Sequence, residues 1–154
     1  MSLGISKKAA GIAPSATLAL NAKVIALKAA GEKVIGFASG EPDFDTPVAI
    51  RDAAKEALDN GKTRYTAAAG MVELRKAIKE KLKRENGLDY EVGQIVVSNG
   101  AKHSIYNAFF ALLNDGDEVI IPTPCWVSYP EMVKMCGGVP VFATTTEEDR
   151  KSVV

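Results

Sequence analysis

From Glu91 onward the chain alternates short apolar runs with helix-type segments, and no other feature constrains its fold as strongly. The order is strand Ile95 to Val97, helix Lys102 to Leu113, turn Asn114-Asp115-Gly116-Asp117, strand Glu118 to Ile121, helix Val127 to Met135, turn Gly137-Gly138 and strand Val139 to Ala143. Strands joined through helices pair in parallel, because the crossover returns the chain to the end of the sheet it left. The expectation is an α/β fold built of βαβ units, with Val119, Ile120, Ile121, Val139 and Val141 in its core. Right-handed crossovers place the carboxyl ends of the strands on one edge, where ligands bind in open α/β sheets. Gly100 and Trp126 fall on that edge.

The first half of the chain is more helical. Ser15 caps a helix carrying Leu18, Ala22, Ile25 and Ala29 on one face, with Gly31 as its stop. Val34 to Phe37 reads as a short strand. Thr46-Pro47 opens a second helix with Ile50, Ala54 and Leu58 at helical spacing, closed by Asn60-Gly61. A third runs from about Val72 to Arg84 with Leu74, Ile78 and Leu82 four apart, and Asn86-Gly87 ends it. An irregular loop, Lys62 to Gly70, lies between them.

Ser98-Asn99-Gly100-Ala101-Lys102 joins an apolar run to a helix. The free N–H groups of a first helical turn, with the helix dipole behind them, attract an anion, and a glycine lets the anion come close to the backbone. Phosphate is the usual occupant. Trp126, the single tryptophan, follows Pro122-Thr123-Pro124-Cys125, a stretch expected to leave the ladder because two of its residues lack N–H donors. Its indole either stacks on a flat heteroaromatic ligand or packs the following helix on the sheet. Spacing does not decide between them.

Composition removes several alternatives. Lys+Arg and Asp+Glu both number 19, so no charge excess favours nucleic acid or an acidic membrane. The mixed-sign runs Lys79 to Arg84 and Glu147 to Lys151 are short, and the first reads as a solvated helix face. Cys125 and Cys136 lack metal-ligand spacing, the lone His103 has no Cys, Asp or second His close to it in the sequence to form a metal site or triad, and no apolar stretch is long enough to span a membrane. A reduced, cytoplasmic chain without a metal is expected.

Four segments together resemble a known family: Gly40-Glu41-Pro42-Asp43-Phe44, Tyr65 within its loop, Ser98 to Lys102, and Trp126-Val127-Ser128-Tyr129-Pro130. In this order and spacing they resemble the N-terminal part of class I pyridoxal-phosphate aminotransferases, and most of all the bacterial aspartate aminotransferases that share the segment Pro14-Ser15-Ala16-Thr17. The resemblance runs from about Ile5 to Thr144. It implies an N-terminal arm and small-domain segment over 1–46, and over 47–154 a partial large, cofactor-binding domain whose sheet is incomplete. In that domain the strand leading to Gly100 and the strand leading to Trp126 are not neighbours. Unpaired apolar edges would then favour association.

The resemblance further implies that Gly100, Ala101 and Lys102 hold the phosphate of pyridoxal 5'-phosphate and that Trp126 lies against its ring. Tyr65 would reach the phosphate in a neighbouring subunit of a homodimer. Gly40 would approach the substrate α-carboxylate, while Lys102, Trp126, Ser15 and Thr17 would face the substrate and favour an acidic side chain. The expected activity is amino-group transfer between an L-amino acid, such as aspartate, and a 2-oxo acid. The family's Asn-Asn-Pro-Thr-Gly, Asp-Glu-x-Tyr and Ser-x-x-Lys motifs do not occur in these 154 residues. The expectation is therefore an N-terminal portion truncated before the Schiff-base lysine and inactive alone. A carbon–sulfur lyase or synthase on the same scaffold and a noncatalytic phosphate-binding or assembly module are the alternatives.

Overall fold

The computed structural model describes residues 4–38 and 40–146. The tail Glu147 to Val154, with its charge run, lies outside the described residues. The chain divides into two compact units, one formed by 1–40 with 100–154 and the other by 41–99.

The first unit begins with a four-residue helix α1, Lys7–Ala10, which sequence periodicity is too short to reveal. Ser6 caps it, its Oγ accepting the Ala9 N–H at 3.1 Å. Helix α2, Ala16–Ala29, starts where the sequence places it, with Ser15 Oγ accepting the Leu18 N–H at 3.4 Å. It ends through Gly31, at φ +85°, with the Glu32 N–H on the Leu27 carbonyl. Its packed face differs from the expected one: Thr17, Asn21 and Val24 are half-buried, whereas Leu18 and Ile25 are exposed. Apolar residues surround most of this helix, so periodicity could not select a face. Val34 to Phe37, expected as a strand, joins no ladder among the described residues.

Past Gly100 the unit continues as helix α5, Ala101–Leu112, strand β1, Glu118–Thr123, helix α6, Ser128–Met135, and strand β2, Val139–Thr144. Strands β1 and β2 pair in parallel, from Glu118 opposite Val139 to Thr123 opposite Thr144, which is the expected βαβ unit. Helix α6 packs on both strands and on α5, with Met132 and Val133 buried. Helix α5 contributes half-buried Ile105, Tyr106 and Phe109. A close fit at the turn explains Gly138: a Cβ there would lie 2.9 Å from Val133 Cγ1 and 3.1 Å from the Asp117 carbonyl.

Two expectations for this region need correction. The ladder does not stop before Pro122, which pairs opposite Ala143; β1 has only β2 beside it among the described residues, and an edge strand tolerates a proline. Nor do the apolar strand residues form one core. Ile121 is 5% exposed but Ile120 is 71% exposed, and Val139 is exposed too. Alternate strand residues point to opposite faces, and only one face of this sheet is covered by α6.

The second unit contains helix α3, Val48–Asp59, helix α4, Val72–Asn86, and a 3-10 turn at Val92–Gln94. The expected stripe Ile50, Ala54 and Leu58 on α3 is exposed. Helix α4 ends at Gly87, which is left-handed at φ +67°, as its Asn-Gly pair predicts. Its half-buried face is Arg75, Ile78, Lys79 and Leu82, while Leu74 is exposed. Arg75 binds the carbonyls of Ile95 (Nε, 2.8 Å) and Val92 (Nη2), tying α4 to the chain beyond the 3-10 turn. Ile95 to Val97, expected as a strand, joins no sheet among the described residues; the Val97 N–H donates to the Ala69 carbonyl at 3.0 Å. Without a neighbouring strand, an apolar β-type run remains a lone extended segment.

Candidate functional site

Gly100 forms the N-cap of α5 at φ +83°, ψ 167°, a conformation confined essentially to glycine. No heavy atom lies within 4 Å of the position a Cβ would take there, so the space over this turn is open. Gly100 has no side chain with which to cap α5, and by helix geometry the amides of Ala101 and Lys102 have no acceptor within the helix. The turn is thus shaped for an anion. Phosphate fits this donor set, because the helix dipole and the amides act together.

The Lys102 side chain reaches from that turn to Trp126, with Nζ 4.6 Å from the centre of the indole ring. A cation over an indole face is attracted by the ring quadrupole. Tyr129 meets the same indole edge-on, with ring centres 5.9 Å apart and planes at 87°. Trp126 keeps 46% of its surface exposed, so neither neighbour closes over it. Two residues 24 positions apart in the chain therefore share one site, and the positive charge in the first turn of α5 faces an aromatic partner.

Ser15 lines a cavity of about 610 Å³ with Ile12, Cys125, Val127 and Phe142. It thereby stands beside both chain neighbours of Trp126. Thr17, in the first turn of α2, is half-buried. Gly40 is exposed, with nothing within 4 Å of its Cβ direction. Tyr65 belongs to the second unit, where it is fully exposed in the Lys62 to Gly70 loop.

One residue at the cavity escaped the sequence reading. Glu131 Oε2 accepts the Ala13 N–H at 3.1 Å, and Oε1 accepts from Lys134 Nζ at 2.9 Å. The hydrogen bond from Lys134 holds the carboxyl below its ordinary value; partial burial opposes this and the Ala13 N–H reinforces it. The Glu-Lys spacing is visible in sequence, but a partner 118 positions away is not. The other resolved shift is at Cys136, whose thiol burial pushes up. Among the described residues no group of three or more His, Cys, Asp or Glu side chains is placed to hold a metal ion, and no helix is long and apolar enough to cross a membrane.

Residues 32–153 match the family model for aminotransferase class I and II. The chain belongs to that family. It is 52% identical over 145 residues to the aspartate aminotransferase of Geobacillus stearothermophilus, covering 94% of this chain and 37% of that protein. Against a probable aspartate/prephenate aminotransferase of Rhizobium leguminosarum the identity is 56% over 137 residues, covering 89% and 34%. The aspartate aminotransferase from Thermus thermophilus with maleate superposes with a TM-score of 0.92 at 46% identity, over 96% of this chain and 39% of that one. The chain thus spans little more than a third of these family members. The fold is that of their N-terminal part, an α/β arrangement with a parallel strand pair.

Proposed function

We propose that this chain forms the phosphate- and ring-holding side of a pyridoxal-phosphate aminotransferase that transfers amino groups between an acidic L-amino acid and a 2-oxo acid. The observation that carries the reading is the junction of the glycine-headed, open N-terminus of α5 with the Lys102–Trp126 pair. It supports a ligand with a phosphate at one end and a flat ring at the other. Gly100, Ala101 and Lys102 bind the phosphate through backbone N–H groups, and Trp126 orients the ring by stacking. Lys102 carries a cation suited to a substrate carboxylate, with Ser15 and Thr17 as neutral partners. Gly40 offers unhindered backbone to the α-carboxylate, and Tyr65 serves the neighbouring subunit of a homodimer. When bound, the cofactor would supply an aldehyde carbon to take up the substrate's amino group and a ring to withdraw electrons from the substrate.

The test uses pyridoxamine 5'-phosphate, whose amine forms no imine with surface lysines. Because Trp126 is the single tryptophan, its fluorescence reports directly on the proposed site. Saturable quenching that inorganic phosphate competes away and Gly100→Ala weakens is the expected result. Quenching indifferent to both would remove the site. In the polypeptide extended to the length of its relatives, aspartate with 2-oxoglutarate should yield glutamate, and Lys102→Ala should impair aspartate more than alanine. Equal losses would refute the acidic preference.

A further inference from the structure

The segment that carries Ser15 and Thr17 is short and weakly packed. Between α1 and α2 it runs through Gly11, Ile12, Ala13 and Pro14, with Gly11, Ala13 and Pro14 exposed. Proline offers no N–H, and the Ile12 N–H closes only a local turn on the Ala9 carbonyl at 3.3 Å. The Ala13 N–H is thus the segment's long-range backbone donor, and it is spent on Glu131.

Glu131 is well placed to hold it. Its side chain is only 18% exposed, yet each carboxylate oxygen has its own donor, Ala13 N–H on one and Lys134 Nζ on the other. It sits in the first turn of α6, where the helix dipole also favours a negative charge. Charge-assisted hydrogen bonds of this kind are stronger than neutral ones. The same helix is anchored in the core by Met132 and Val133, so the carboxylate projects from a fixed support. Ser15, two residues after Ala13, lines the cavity that Glu131 also lines.

We infer that Glu131 is a positioning residue: by holding the Ala13 amide it locks the Ile12 to Thr17 segment onto α6 and so sets where Ser15 stands in the cavity it shares with Cys125 and Val127, and with it where Thr17 stands. Its effect on substrate choice rests on the reading of Ser15 and Thr17 as substrate-facing; the lock itself does not. Lys134 acts as the counter-ion that keeps the carboxylate charged and oriented. Lengthening or removing the Glu131 side chain should free the segment without disturbing the α6 core.

Amide hydrogen exchange of the 154-residue chain, resolved by residue, tests the lock. Glu131→Ala should speed exchange at Ala13 by about tenfold or more, while Gly138, whose N–H bonds Val133 in the core, stays protected. Glu131→Gln keeps an acceptor oxygen and should retain most of the protection. Unchanged exchange at Ala13 in Glu131→Ala, or equal acceleration at Ala13 and Gly138 in both variants, would overturn the inference. In the extended polypeptide, Glu131→Ala should raise KM for aspartate more than for alanine with kcat less affected, and Glu131→Gln should largely restore it. Loss of exchange protection without any transferase activity in the parent protein would sink the functional reading and leave the lock intact; protection lost with equal KM changes for both amino acids would overturn its role in specificity.

Discussion

Replacing Gly100 by alanine isolates backbone conformation from packing, because the Cβ would enter empty space. At φ +83°, ψ 167° the backbone occupies a region that is essentially glycine-only, at a cost of about 1–3 kcal/mol for another residue. Alanine also restricts the unfolded chain, which returns about 0.4–1 kcal/mol. The net destabilisation should therefore centre on about 1–2 kcal/mol, or roughly 3–6 °C in melting temperature for a chain of this size. Gly93 supplies the control: it too has nothing within 4 Å, and its φ lies outside the positive range. Gly93→Ala should be neutral or stabilising by up to about 1 kcal/mol. Urea midpoints at constant m-value measure both. D-alanine at position 100, introduced by semisynthesis, should recover most of the loss, because its mirror-image preference favours positive φ. If both L-alanine variants respond alike, or D-alanine restores nothing, the conformational argument for this turn is wrong.

Arg75→Ala strands the carbonyls of Ile95 and Val92 and should cost the second unit about 2 kcal/mol or more by urea midpoint. Arg75→Lys should recover only part of this, because an ammonium lacks the planar fork; an alanine variant no worse than one at exposed Glu73 would contradict the role. The pH dependence follows from Glu131, whose folded pKa lies below its ordinary 4.5. Its contribution is complete above the unfolded value and lost as pH falls through the lower folded value. Protonation leaves a neutral acceptor oxygen, as Glu131→Gln does, so exchange at Ala13, corrected for intrinsic rate, should rise only part of the way to the Glu131→Ala rate and only below pH 4.5; release near neutrality would rule out Glu131 as the group responsible.

Much of the organisation was legible before any coordinates. The helix starts at Ser15 and Pro47 and the stops at Gly31 and Gly87 were readable because caps and left-handed glycines act within a few residues. The βαβ unit from Glu118 to Thr144 was readable for a similar reason, since its strands and helix follow one another directly. Faces were less legible. Leu18 and Ile25 on α2 and Leu74 on α4 have the right spacing for burial, yet Val24 and Arg75 are the residues turned inward. Periodicity identifies an amphipathic helix but not the partner that claims a face.

Family membership, the order of elements from Glu118 onward and the glycine turn at the head of α5 are all written along the chain, because each depends on near neighbours in it. Tertiary structure alone decided that Ile120 faces outward while Ile121 is buried, since that depends on which sheet face α6 covers. It also brought Lys102 onto Trp126 and Ala13 onto Glu131. Such contacts join residues 24 and 118 positions apart, and no local propensity encodes them: they exist only once the helices have packed.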